Sequence, residues 1–264
     1  MHRKERIKQG GAKKVLAEER MTKITQKVNE QGSVTVQELV EYLETSESTI
    51  RRDLNSLDDM GEITKVHGGA VSVHTSFQMR DDEISDRRVI NLEEKKTIAK
   101  YAAGLIRKDD FVYIDAGTTT EFIIDYITEK KAIYVTNAVN HACRLAHIGC
   151  EVYLVGGRLK STTEASVGAE TVETLSEYNF TIGFWGTNGI HRKAGFTTPD
   201  REEASGKHVS LKNCKKRYIV ADSSKFDSIS PVKFADYNDA MIITEKMAKG
   251  YDNCENIILA ESET

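Results

Sequence analysis

The chain has 264 residues, 39% of them apolar and 30% charged, with a formal charge of -4 and 18 glycines against 2 prolines. That length predicts two domains or one large domain with an appendage, the apolar content excludes a disordered chain, and no run approaches the ~18–20 apolar residues that span a bilayer. The basic N-terminus has no apolar stretch behind it and does not read as a signal peptide. Cys143, Cys150, Cys214 and Cys254 lack metal-ligand spacing, which predicts reduced cytosolic thiols and no metal.

Residues 1–16 (MHRKERIKQGGAKKVL) are basic without a helical period and read as a disordered arm, as a basic arm that touches phosphate, or as a non-native extension. Gln9-Gly10-Gly11 can be encoded by a ribosome-binding sequence and GTG would encode Val15, so native translation is expected to start at Val15. From Ala17 a pattern begins. Met21, Ile24 and Val28 share one helical face, and Gly32 closes the helix. Thr35-Val-Gln-Glu38 is a capping box, in which hydroxyl and carboxylate each satisfy an orphan backbone N–H. The helix it opens carries Leu39, Val40 and Leu43. After a turn at Glu44-Thr45, Ser46 caps a third helix running to about Met60. Glu62–Val73 then reads as two strands about a Gly68-Gly69 turn.

On that third helix Ile50, Leu54 and Leu57 must face the core. Ser48, Arg52 and Asn55 therefore point away, with Thr49 and Arg51 on their flanks. A recognition helix needs such groups at its N-terminal end, which enters the major groove. Arginine pairs bidentately with guanine edges, and Ser or Thr reaches bases or phosphates. Lys65 and His67 on the hairpin would meet the backbone as a wing. A merely solvated arginine face and a protein-binding module are the alternatives, and the Ser/Thr/Arg face within this succession of elements favours DNA. One such module reads too few base pairs, so at least a homodimer is expected on operator DNA.

Residues 74–92 are polar and read as a linker. Beyond it, predicted helices (Leu92–Arg107, Thr118–Ile127, Val139–Ile148, Ala169–Tyr178, Glu202–Leu211) alternate with apolar strands (Phe111–Ile114, Ala132–Val135, Glu151–Val155, Thr181–Trp185, Arg217–Ala221, Ala240–Thr244). That alternation predicts an α/β fold with a mostly parallel sheet covered on both faces. Sites in such sheets gather at the C-terminal strand ends. Those ends read Asp115-Ala-Gly117-Thr118-Thr119-Thr120, Thr136-Asn137, Gly156-Gly157-Arg158, Gly186-Thr187-Asn188-Gly189 and Asp222-Ser-Ser-Lys225-Phe226. N–H groups, hydroxyls and the Lys225 cation suit a small phosphorylated ligand.

Ser46-Glu-Ser-Thr-Ile-Arg-Arg-Asp-Leu54, followed by His67-Gly-Gly-Ala70, resembles the DeoR family of bacterial transcription regulators, with Lys65 where members often carry arginine. The five strand-end segments resemble the same family's effector domain, whose fold is similar to ribose-5-phosphate isomerase. The resemblance implies a winged helix-turn-helix over residues 17–73, a linker over 74–92 and an effector domain over 93–264. It implies a cytoplasmic repressor of a sugar-utilisation operon that is controlled by a phosphorylated sugar and carries no cofactor. A phosphate cradle would lie at Gly117, Thr118, Thr119, Thr120 and Lys225. Sugar contacts would come near Asp115, Asn137, Gly156, Gly157, Arg158, Thr187 and Asn188. Glu202 or Glu203 and Lys207 fall where the family has Glu and Lys, although Glu203 and Lys207 also fit an exposed i,i+4 pair worth ~0.3–0.5 kcal/mol.

The competing reading is a sugar-phosphate isomerase with an accessory winged helix. That reaction needs a carboxylate base and an acid partner. In the isomerase fold these sit on the loop that here reads Gly183-Phe-Trp-Gly-Thr-Asn-Gly-Ile190, which has no Asp or Glu. Asp115 and Asp222 are expected to orient loops and His191 to lie at the surface, so binding without catalysis is expected.

Overall fold

In the computed structural model of the chain, residues 17–29, 31–66, 68–72, 76–77 and 84–261 are described. The basic extension, the expected start at Val15 and His67 lie outside them. The chain divides into two compact units, residues 1–77 and 78–264.

The first unit comprises α1 (residues 17–29), β1 (Ser33–Thr35), α2 (Val36–Leu43), α3 (Glu47–Asp59), β2 (Ile63–Val66), β3 (Gly69–Ser72) and β4 (Ser76–Phe77). Its apolar periods converge as the spacing requires: Ile24, Val28, Leu39, Ile50 and Leu54 are wholly buried together. Thr35 caps α2 reciprocally, its N–H donating to Glu38 Oε2 at 2.8 Å and its Oγ1 accepting from the Glu38 N–H at 3.2 Å. Arg20 holds buried Asp53 through two bonds, Nε to Oδ2 at 2.5 Å and Nη2 to Oδ1 at 2.9 Å, which fastens α1 to α3. The wing has three strands in the order β1-β3-β2. Val34, read as a mere link, pairs with Ala70 in β3. A Cβ on Gly69 would lie 2.2 Å from the Val34 carbonyl oxygen, so only glycine allows this approach.

The second unit opens with α4 (Ile84–Val89), a helix within the stretch read as linker, and α5 (Leu92–Ala103). There follow β5 (Phe111–Ile114), α6 (Thr118–Ile123), β6 (Ile133–Thr136), α7 (Val139–His147), β7 (Glu151–Leu154), β8 (Arg158–Lys160), β9 (Ala165–Val167), α8 (Ala169–Ser176) and β10 (Phe180–Trp185). The chain continues through β11 (Gly189–His191), β12 (Gly195–Thr198), α9 (Arg201–Lys212), β13 (Cys214–Val220), β14 (Ser228–Ile229), β15 (Val232–Ala235), β16 (Met241–Thr244) and β17 (Ile257–Leu259). Seven parallel strands form the central sheet in the order β17-β16-β13-β10-β5-β6-β7. Side chains alternate across it. Val112 and Ile114 pack with α5 residues Ile98, Ala99 and Ala102, whereas Tyr113 packs with Leu175 of α8 and Leu211 of α9. The result is three layers, helix on sheet on helix. The antiparallel hairpin β8–β9 and the small sheet β11-β12-β15 sit outside that alternation.

Strand order fixes where a ligand can enter. Successive strands run outward from β5 to β7, and then from β10 to β17 in the opposite direction. The reversal between β5 and β10 parts the loops beyond their C-terminal ends and leaves a crevice there.

Candidate functional site

At the start of α3, Ser46 Oγ accepts the Thr49 N–H at 3.3 Å and lies 2.8 Å from Thr49 Oγ1 and 3.1 Å from Ser48 Oγ. Ser46 and Thr49 are thus first of all capping groups. Ser48, Arg51, Arg52 and Asn55 are exposed, and Thr49 is half-buried. Arg51 pairs with Glu47, Nε to Oε1 at 2.8 Å, both side chains more than half exposed. No described side chain holds the Arg52 guanidinium, which leaves it the readiest of these groups to engage a ligand. Lys65 is exposed on β2, and its backbone N–H donates to Asp58 Oδ1 at 2.8 Å, which ties the wing to the end of α3.

In the second unit a cavity of about 230 Å³ opens at the β5/β10 reversal. Ala116 to Thr119 line it beyond β5, Gly186 to Asn188 beyond β10, and Asp222, Ser224 and Lys225 beyond β13. Helix α9 adds Glu203 and Lys207, the β8–β9 connection adds Thr163, and the α4–α5 segment adds Arg87, Ile90 and Lys95. Four cations therefore meet two carboxylates around the space. Helix α6 begins at Thr118, and the first N–H groups of any helix lack acceptors within it.

Of the ligand contacts expected from sequence, Gly117, Thr118, Thr119, Thr187, Asn188 and Lys225 line the cavity, together with Glu203 and Lys207, while Asp115, Thr120, Asn137, Gly156, Gly157 and Arg158 do not. Thr120 is wholly buried and donates back to the Gly117 carbonyl at 2.9 Å. Asn137 is a buried clamp: Oδ1 accepts from Tyr113 Oη at 3.2 Å and the Ala116 N–H at 3.1 Å, while Nδ2 donates to the Ser166 carbonyl at 3.2 Å. It shapes the first cavity loop from behind. Gly156, Gly157 and Arg158 are exposed, and Arg158 pairs with Glu202.

Asp115 also lies behind the lining, bonded to Lys207 Nζ and accepting the Gly186 N–H at 3.3 Å. Burial pushes its carboxyl above the usual carboxylate range, and the Lys207 ammonium and the Gly186 N–H act against that rise. Glu203 and Lys207 do not form the exposed i,i+4 pair. Lys207 is buried on Asp115, and Glu203 accepts from Lys160 Nζ at 3.0 Å and Thr163 Oγ1 at 2.6 Å. Charges on successive turns meet each other only when neither finds a deeper partner. His191 is likewise buried rather than superficial, its Nδ1 accepting the Lys193 and Ala194 N–H groups at 3.3 and 3.2 Å. Burial lowers its pKa.

Sequence reasoning missed Arg87, Lys95 and Thr163. Lys95 had a signal: it falls on the same face of α5 as Ile98, Ala99 and Ala102, where a lysine needs a reason to be. It is 4% exposed, its Nζ bonds the Arg87 carbonyl, and burial above all lowers its pKa to about 8. Asp222 raises that value, while Lys225 and Arg87 lower it further.

Among the described residues no group of three or more His, Cys, Asp or Glu could hold a metal, and no helix is long and apolar enough to cross a membrane. Residues 20–76 match the DeoR-like helix-turn-helix domain and residues 90–246 the DeoR C terminal sensor domain. The HTH-type transcriptional regulator FruR of Bacillus subtilis, itself uncharacterized, is 41% identical over 87% of this chain and 91% of its own length. HTH-type transcriptional regulator GlpR of Haloferax volcanii is 37% identical over 84% of this chain and 86% of its own. A lactose phosphotransferase system repressor of Staphylococcus epidermidis is 35% identical over 78% and 83%. Among solved structures, ribose 5-phosphate isomerase A of Methanocaldococcus jannaschii overlaps with a TM-score of 0.38 and 14% identity, over 52% of this chain and 55% of that one.

Proposed function

Because the chain belongs to the DeoR family of transcriptional regulators, we propose that it represses a sugar-utilisation operon and that a phosphorylated sugar controls it from the β5/β10 cavity. The observation that carries the effector reading is the cation set around that cavity. Lys207 is engaged by Asp115, yet Lys95 and Lys225 still outnumber Asp222 around the space. Such an excess suits a phosphate dianion, and the α6 N–H groups and Thr118 and Thr119 hydroxyls supply directional donors. The DNA reading is supported by the exposed Ser48, Arg51, Arg52 and Asn55 on the outer face of α3 and Lys65 on the wing.

The isomerase reading has one point in its favour: Glu203 and Asp222 both reach the cavity. Their oxygens are engaged in scaffolding. Glu203 Oε1 accepts from Lys160 and Thr163, and Asp222 Oδ1 accepts from Asn91 Nδ2 at 2.9 Å, the Ser224 N–H at 3.1 Å and Ser224 Oγ. These bonds tie each carboxylate into the scaffold of its loop or helix, which supports binding without turnover. The protein is accordingly read as a cytoplasmic regulator rather than an enzyme.

The test is thermal denaturation of the full chain against pentose and hexose monophosphates, with mobility-shift assays on DNA flanking its gene. A ligand at 100 times its Kd stabilises by ~2.7 kcal/mol, and the same ligand should change DNA affinity. Stabilisation by none of them, or turnover at ~1–10³ s⁻¹ followed by NMR, would remove the effector reading.

A further inference from the structure

Most residues of β5, β6 and β10 are buried, but β7, at the edge of the central sheet, is open. Tyr153 is 48% and Leu154 47% exposed, Glu151 is exposed and Val152 half-buried. One bond fixes which way its backbone points: the Val155 N–H donates to the Thr136 carbonyl at 2.8 Å, toward β6. Backbone groups of successive strand residues address opposite sides. Glu151 and Tyr153 therefore also address β6, while the N–H and C=O groups of Val152 and Leu154 point outward. No described residue bonds those outward groups. The strand carries no lysine or proline, and its one charge, Glu151, accepts from Tyr153 Oη at 3.0 Å. An edge of this kind is a template for another strand.

We infer that β7 pairs antiparallel with β7 of a second copy of this chain, about a two-fold axis through Tyr153, which joins two sensor sheets into one. The outward groups select both the register and the occupant. An axis at Tyr153 sets Val152 of each copy opposite Leu154 of the other, so that every outward N–H and C=O finds its match. Tyr153 then faces Tyr153, a cross-strand aromatic pair, and Glu151 faces Val155, so no like charges stand opposite each other. Neighbouring registers fail. An axis at Val152 sets Leu154 against Cys150, whose N–H is already given to the Leu145 carbonyl at 3.1 Å. One at Leu154 sets Val152 against Gly156, whose carbonyl already accepts from Thr171 Oγ1 at 2.8 Å. An axis between two residues opposes outward groups to inward ones. The edge is thus complementary to itself in one register, which singles out another copy of the chain over a foreign strand. The sheet's other edge, β17, has three residues, and Ile257 and Ile258 in it are partly covered. The operator reading above supplies the need for a dimer, but the choice of edge and register does not depend on it.

Cross-linking and light scattering of the full chain test this without DNA. Opposed residues that exchange no backbone bonds lie ~4.5 Å apart at Cα, within the reach of a disulfide. Cys143 is exposed, so the parent for the test is Cys143→Ser. In that background Tyr153→Cys should give a covalent dimer under mild oxidation, while the parent and Ile258→Cys, at the centre of β17, should not. Val152→Pro removes an outward N–H that the sheet itself does not use, a position where an edge strand accepts proline. It should halve the mass measured by light scattering. Tyr153→Lys sets two like charges opposite each other and should do the same, which serves if Val152→Pro does not fold. A monomeric unaltered chain overturns the pairing, as does a Tyr153→Cys chain that does not cross-link or a cross-link at Ile258 in its place. So does a folded Val152→Pro or Tyr153→Lys chain of unchanged mass. A dimer that survives these changes and still shifts DNA leaves the operator reading standing. Cross-linking at Tyr153 in a chain that shifts no DNA leaves the β7 pairing standing and removes the operator reading.

Discussion

Arg52 and Lys65 face solvent from different elements of the first unit, and their removal should be distinguishable. If Arg52 pairs with a base edge, Arg52→Ala costs ~1–3 kcal/mol of operator affinity and relaxes specificity at that base. Lys65→Ala should weaken all sequences alike and lower the salt slope by ~1. Equal losses on operator and random DNA for Arg52→Ala would make it a phosphate contact. In the cavity, Lys95 gives a pH signature. The groups facing it are Asp222, Lys225, Arg87 and Glu94, and in the empty cavity it titrates at about 8. A bound anion must raise that value, so binding takes up a proton between the two pKa values. Affinity is therefore steady between pH 7 and 8 and falls above pH 8, by up to tenfold per pH unit. Calorimetric titration with a sugar phosphate should show that fall, and Lys95→Met should flatten it. An unchanged slope in Lys95→Met would assign the proton elsewhere.

At the level of elements, caps and close approaches decide more than propensity does. Thr35→Ala removes one half of a reciprocal cap and should cost ~1 kcal/mol, read as a lowered unfolding midpoint of the DNA-binding unit. Gly69→Ala should cost more, because backbone rather than a mobile side chain lies 2.2 Å from the new Cβ. A melting point within a degree of the unaltered chain would show that β1 can move away freely. These elements also mark how far the sequence could be read. Helices α2 and α3 were legible because caps and apolar period agreed, and the central strands because buried parallel strands are nearly continuous apolar runs. Strands β8, β9 and β11 were not, at three residues each, too short to display a period of two. Helix α5 was read too long because Leu105 and Ile106 continue its apolar period, whereas the helix stops at Gly104. The cavity loops were legible through their glycines and hydroxyls. Arg87 and Lys95 were not, since their position depends on how α4 and α5 fold back over the strand ends.

For the molecule as a whole, a single recognition helix cannot supply operator specificity, so the active form is expected to be at least a dimer. Light scattering at the concentration that shifts DNA should show it, with protected half-sites about one helical turn, ~34–36 Å, apart or a multiple of that. A monomer that footprints one site with full affinity would contradict this. The reversal in strand order also has a temporal side. Strands β5, β6 and β7 are synthesised together and can pair as they emerge, but β10, which covers the other edge of β5, is complete only at Trp185. At ~5–20 residues per second, the Phe111–Ile114 edge waits roughly 4–14 s without its neighbour. A ribosome-stalled chain ending near Glu177 should consequently be sensitive to protease and prone to capture by chaperones, while the full chain stalled on a flexible tail appended after Thr264 should not. Sensing is then the last property the nascent chain acquires, because the crevice has no second wall until β10 arrives.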